Sequence, residues 1–187
     1  RAVLIGAGSL GTALLGHEDF HSYGFHIETV FDANASKIGT TIKGREVYDI
    51  EKMDESEIKE VLTAHTETHE ISCVNWSEYP YAPKVSVRIA YSEKALVLLY
   101  NVSEEHTLGK VLENNGPVWE DSCVETFIKD PVGEGYYNIE VNCIATKLAA
   151  HRLSRTDFEL FDEEKLAEIK CFSSLPHIET DIENKEW

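Results

Sequence analysis

Tyr136-Tyr-Asn-Ile-Glu-Val-Asn-Cys-Ile144 alternates along its whole length. Tyr137, Ile139, Val141 and Cys143 fall on one face, and Tyr136, Asn138, Glu140 and Asn142 on the other, the two-residue period of a β-strand. Just upstream, Ser122-Cys-Val-Glu-Thr-Phe-Ile128 reads as a second strand, closed by the turn Asp130-Pro-Val-Gly-Glu-Gly135. Cys123, Glu125 and Phe127 share one face of it. If the two strands pair through that turn, Glu125 lies close to Glu140 or Asn142. Arg88, on a neighbouring strand, is then a candidate to neutralise them.

The same period extends upstream. Val85-Ser-Val-Arg-Ile-Ala-Tyr91 alternates strictly, and Ala95-Leu-Val-Leu-Leu-Tyr-Asn-Val102 is apolar on both faces, which predicts a central strand. Phe158–Ile169 is acidic and compatible with a helix, and Asp181–Trp187 reads as the start of another strand. Short strands separated by turn signals predict a mainly β fold, an antiparallel sandwich.

The first fifty residues differ. Ala2-Val-Leu-Ile5 is a short apolar run of the buried parallel-strand kind. It leads into Gly6-Ala-Gly8-Ser-Leu-Gly11 and then a helical stretch, and a second strand, Ile27–Phe31, ends at Asp32. Asp32 stands 21 residues after Gly11. Strand, glycine loop, helix and a carboxylate closing the next strand form a dinucleotide-binding pattern. Gly6 permits the tight turn, Gly8 lets the backbone approach a pyrophosphate, and Gly11 lets the helix pack close to the sheet. Asp32 is placed to accept hydrogen bonds from a ribose diol, favouring NAD over NADP. A glycine-rich turn without a ligand is the alternative.

The predicted organisation is therefore a partial Rossmann βαβ unit over residues 1–55 and a β-sandwich over 56–187, with Glu51–Val61 as a charged helix or linker at the join. Charge divides along the same line. Residues 1–50 hold four basic and six acidic side chains, net −2, and the rest hold 13 and 28, net −15. So acidic a surface repels phosphate backbones and anionic lipid, and neither nucleic acid nor membrane is an expected partner. No signal-peptide pattern opens the sequence, and no apolar run approaches the roughly 18–20 residues that span a bilayer. No compartment is assigned. Cys73, Cys123, Cys143 and Cys171 show neither a C-x-x-C nor a zinc spacing.

Carboxylate, amide and guanidinium groups beside flat aromatics suit a sugar, through paired hydrogen bonds to hydroxyls and a platform for the C–H face of the ring. The solvated outer face of a sandwich carries the same residue types, and that alternative stays open on alternation alone. Glu125 and Glu140 also admit a glycosidase reading, as paired carboxylates. No nucleophile, base and orienting group accompany them, and the expectation is a non-catalytic module.

Two resemblances sharpen this. Arg1–Gly16, Tyr23-Gly-Phe, Phe31-Asp, Lys37-Ile-Gly and Val47-Tyr-Asp-Ile resemble the start of the NAD-binding domain of the Rex family of redox-sensing repressors. The resemblance implies NAD(H) as a cofactor for residues 1–50, and supplies the alternative function, an NAD(H)-responsive sensor fragment of a Rex-like repressor. Asn75-Trp-Ser-Glu-Tyr-Pro-Tyr81, Asn114–Glu125 and Tyr136–Cys143 resemble the family 9 carbohydrate-binding modules over roughly residues 60–187. That resemblance implies a small sugar or sugar chain end as partner. It makes Trp119 one wall of the sugar slot and Glu125 and Asn142 its hydroxyl partners. Family modules carry arginine where this chain has Glu140, with Arg88 the candidate replacement. The family also often holds Ca²⁺, for which Glu120, Asp121 and Asp130 supply hard oxygens.

Overall fold

The computed structural model describes residues 2–5, 7–8, 12–13, 15, 27–32, 34–49, 55–91, 95–129, 132–175 and 182–187. The expected fold class is present: a mainly β chain with antiparallel sheets, preceded by a partial Rossmann unit. It forms two compact units, Arg1–Ile71 with Ser86–Leu99, and Ser72–Val85 with Tyr100–Trp187.

In the first unit, β1 (Ala2–Ile5), β2 (Ile27–Asp32), β3 (Thr41–Ile42) and β4 (Arg45–Asp49) form a sheet in the order β1-β2-β4-β3. β1 pairs with β2 and β2 with β4 in parallel, whereas β3 and β4 make an antiparallel hairpin. Parallel strands covered on both faces need apolar residues throughout. Val30, Val47 and Ala7 accordingly form a buried cluster, with Leu4, Leu15 and Ile42 packed against it. Helix α1 (Glu55–His65) lies against β1, and its Leu62 is buried.

β5 (His69–Ile71), β6 (Lys84–Tyr91) and β7 (Leu96–Thr107) follow, in a sheet of order β12-β7-β6-β5. The apolar run expected to be central is β7, flanked on both sides, and β12 (Ile182–Glu186) is its antiparallel partner over Ser103–Thr107. Trp187 donates its indole N–H to Glu104 Oε1 at 2.7 Å, exchanges both backbone hydrogen bonds with Val102, and packs on the Cys143–Leu175 cluster.

The second unit holds the predicted pairing. β8 (Cys123–Lys129), β9 (Tyr136–Asn142), β10 (Lys147–Arg152) and β11 (Phe158–Leu160) form an antiparallel sheet in the order β11-β10-β9-β8. Helix α2 (Glu163–Glu168) follows β11, N-capped by Asp162, whose carboxylate accepts from Lys165 N–H at 2.9 Å. Gly135, at φ +94°, opens β9, and a Cβ there would stand 2.2 Å from the Arg152 carbonyl oxygen. Tyr100 of β7 reaches Thr126 of β8, hydroxyl to hydroxyl at 2.9 Å, from the face that bears Tyr137, Ile139 and Val141.

Burial reverses the usual sense of the β9 alternation. Asn138, Glu140 and Asn142 are the buried set, while Tyr137, Ile139 and Val141 are half-buried. The polar face of this sheet is therefore not a solvated exterior. Small Ala150 and the buried Leu148 of β10 lie beside it, and neighbouring polar groups meet most of its hydrogen-bonding needs.

Candidate functional site

Cross-strand partners in an antiparallel ladder share a face, so register alone sets out the rows. Cys123 stands opposite Asn142, Glu125 opposite Glu140, Phe127 opposite Asn138, and Lys129 opposite Tyr136. On the other flank of β9, Leu148 meets Glu140, Ala150 meets Asn138, and Arg152 meets Tyr136, with Phe158 beyond Arg152 on β11. Glu125 is thus brought to Glu140, one of the two partners left open by the sequence.

Arg152 organises the row. Its Nε–H donates to Asn138 Oδ1 at 2.7 Å, its Nη2 lies 3.7 Å from Glu140 Oε1, and its guanidinium sits 4.5 Å above the Phe158 ring. The cation beside Glu140 within this unit is Arg152; the guanidinium of Arg88, in the first unit, hydrogen-bonds the Thr66 carbonyl. Burial, then the charge of Glu125, pushes Glu140 above the usual carboxylate range, and Arg152 offsets this only in part. Burial and the same two glutamates push the Cys123 thiol up to about 12. Two polar atoms of the row have no hydrogen-bond partner: Asn138 Nδ2 and Glu140 Oε2.

Trp119 rides on the short 3₁₀ turn Val118–Glu120, which packs beside β8 and β9. Val118 is the buried anchor of that turn, and Trp119 stays 55% exposed, so its indole is not a core element. Phe127 and Phe158 are exposed on the same sheet face as Glu125.

Asn142 is otherwise engaged. Its Nδ2 donates to Val111 O at 3.0 Å and to Asp121 Oδ2 at 2.9 Å, and its Oδ1 accepts from Thr146 N–H at 2.8 Å. It ties three segments together at 1% exposure. Asp121 Oδ2 also accepts from the N–H groups of Lys110 and Val111, at 2.9 and 2.8 Å. Asp130 lies outside the described residues, among which no group of three or more His, Cys, Asp or Glu side chains is arranged to hold a metal.

In the first unit Gly6 and Gly11 lie outside the described residues. Gly8 is exposed with open space where a Cβ would stand, and its carbonyl accepts from Thr12 N–H at 2.8 Å. Asp32 is buried at the end of β2, where Oδ2 accepts from Ala7 N–H at 2.7 Å and from Lys37 Nζ at 3.0 Å, and Oδ1 from Asn34 N–H at 2.7 Å. Burial raises its pKa, but the hydrogen bonds from Asn34, Lys37 and Ala7 outweigh it and hold the carboxyl below its usual value. Asp32 thus ties Ala7 to the end of β2 and holds Asn34 and Lys37.

Residues 56–187, well over half of the chain, match the model of carbohydrate-binding family 9. The chain belongs to that family. A Bacteroides uniformis protein, solved as a candidate carbohydrate-binding protein, shares its fold with a TM-score of 0.66 at 31% identity, over 72% of this chain and 62% of that one. Residues 1–73 match the model of a CoA binding domain, which overlaps the family 9 match on the segment containing α1. The same end resembles the redox-sensing transcriptional repressor Rex. Identity is 40% over 74 residues with the Clostridium beijerinckii protein, covering 40% of this chain and 33% of the relative. With that of Desulfitobacterium hafniense it is 42% over 52 residues, covering 28% and 25%. The chain therefore spans about a third or less of these repressors. Among the described residues, no helix is long and apolar enough to cross a membrane.

Sequence reasoning passed over Arg152 and Asn138. Asn138 was legible as a member of the polar face. Arg152 closes Lys147-Leu-Ala-Ala-His-Arg152, a stretch whose apolar residues run consecutively and hide the strand's period.

Proposed function

We propose that the β8–β9 face is a non-catalytic site for a small sugar or the end of a sugar chain. The observation that carries this is the half-exposed indole of Trp119, held on a turn beside the strands that set Glu125 opposite Glu140. An aromatic platform next to hydrogen-bonding side chains is the usual arrangement for a sugar ring. Binding without hydrolysis is supported by the match to a carbohydrate-binding family. The family 9 match beginning at residue 56 supports a division of the chain near residue 55 into a nucleotide-type unit and a sugar module.

The decisive experiment is calorimetric titration of the full chain with glucose, xylose, cellobiose and xylobiose, repeated on Trp119→Ala. One of these sugars is expected to bind, and the substitution to remove most of the affinity while the melting temperature holds. Absence of binding by all four at millimolar concentration sinks the proposal, as does a Trp119→Ala protein that unfolds.

A second reading applies to residues 1–55. The parallel β1-β2-β4 arrangement with Asp32 at the end of β2 favours weak NAD(H) binding there, as in the Rex-like domains it resembles.

A further inference from the structure

β8 closes one end of the sheet β11-β10-β9-β8, and among the described residues no strand pairs with its outer side. The hydrogen-bond phase of the β8–β9 ladder determines which backbone groups line that side. Opposite residues in an antiparallel ladder alternate between pairs that exchange N–H···O bonds and pairs whose backbone groups point away from each other. Cys143 N–H donates to Ser122 O at 2.8 Å, so these two residues hold a bonded position. The next pair, Cys123 and Asn142, is of the other kind, and Asn142 N–H accordingly turns away to Thr146 O at 2.9 Å. By the same alternation Glu125, Phe127 and Lys129 send their N–H and C=O groups to the outer side of β8. Their side chains share one face and all are exposed, Phe127 at 60%.

We propose that this edge pairs with the same edge of a second copy of the chain, antiparallel about Phe127, in a reversible two-fold dimer. An outward row of N–H and C=O groups is a template for another strand. Pairing about a two-fold axis leaves only the centre to choose, and the side chains choose it. Centred on Phe127, Glu125 of each copy faces Lys129 of the other, and the two Phe127 rings meet. Opposite charges and paired aromatics are favourable cross-strand neighbours. Centred on Glu125, like charges would face each other. Centred on Thr126, Glu125 would face Phe127 and neither charge would gain a partner. The Phe127 centre also suits the backbone, because it sets outward-facing groups of one copy against outward-facing groups of the other. Edge pairing extends the sheet in its own plane and leaves the face bearing Glu125 uncovered, so this inference does not depend on a sugar binding there. So short an edge gives a weak dimer.

Sedimentation equilibrium of the full chain, from micromolar to near-millimolar protein, tests this in salt that screens the net charge of −17 on each copy. Wild type should dimerise reversibly. Glu125→Lys and Lys129→Glu each set like charges opposite one another and should weaken the dimer at least about tenfold, while the double exchange restores it. Disulfide trapping reads the register directly, in a Cys73→Ser background that removes the exposed native thiol. A bonded antiparallel pair puts its Cα atoms about 5.5 Å apart, within the span that a disulfide bridges. Phe127→Cys should therefore cross-link the copies on mild oxidation, and Thr126→Cys should not. If a charge variant loses its melting transition, the trapping result decides. The proposal is overturned by a wild type that stays monomeric throughout, or by a dimer indifferent to the single exchanges. A folded double variant that fails to restore association, or cross-linking as ready through Thr126→Cys as through Phe127→Cys, overturns it equally.

Discussion

Glu125 and Glu140 are direct partners across the β8–β9 ladder, the first exposed and the second buried. Like charges placed opposite each other destabilise a sheet, and here the cost falls on Glu140, whose pKa is raised by burial first and by Glu125 second. In the unfolded chain this group titrates near its ordinary value of 4.5. Below that value both states hold the proton, and the folded state carries no penalty. Above it the unfolded chain loses the proton first, so stability falls as pH rises through the folded pKa. Thermal melts of wild type and Glu140→Gln between about pH 4 and pH 7 check this. Wild type should lose ground against the variant as pH rises, and parallel curves would refute it.

Asn142 and Asp121 make the opposite case, polar residues whose hydrogen bonds are largely spent on the fold. Asn142→Ala removes contacts to Val111, Asp121 and Thr146 and leaves a half-buried carboxylate oxygen short of one donor. The expected loss is roughly 2–4 kcal/mol of stability, the scale of a broken buried network. Chemical denaturation measures it. If stability is unchanged and only sugar affinity drops, Asn142 is a ligand contact as the family resemblance implies.

The strand pairing was legible because alternation and turn chemistry fix register in a hairpin, and the Glu125–Glu140 pair follows from it. Which face is buried was not legible. Period two says which residues share a face but not which face is covered, and on β9 the buried set is Asn138, Glu140 and Asn142, beside Leu148, Ala150 and Arg152 of β10. Arg152, the cation that reaches Glu140 within the second unit, comes from β10, whose consecutive apolar residues obscure its period. In the first unit the role of Asp32 as a clamp on Ala7 depends on a contact between residues 25 positions apart, which no local pattern encodes.

That clamp yields the last prediction. Asp32 joins the glycine loop to the end of β2 through Ala7 N–H, and holds Asn34 and Lys37 in the segment that follows. An ionised carboxylate has about four acceptor sites, so a ribose diol can use the one left over and the one held by Lys37, without releasing the two backbone donors. Asp32→Ala removes all of these together. It should weaken NADH by roughly 1–3 kcal/mol, the range for leaving buried polar partners unmatched, and should destabilise the first unit as well. Lys37→Met separates the two effects. It frees a diol position while leaving the backbone bonds to Asp32 in place, so NADH affinity should hold or rise as Asp32→Ala lowers it. Calorimetry with NADH on the full chain, beside melting curves of both variants, reads the two effects independently. If wild type shows no NADH binding at millimolar concentration, while Asp32→Ala still lowers stability, Asp32 is a structural clamp alone and residues 1–55 carry no nucleotide site.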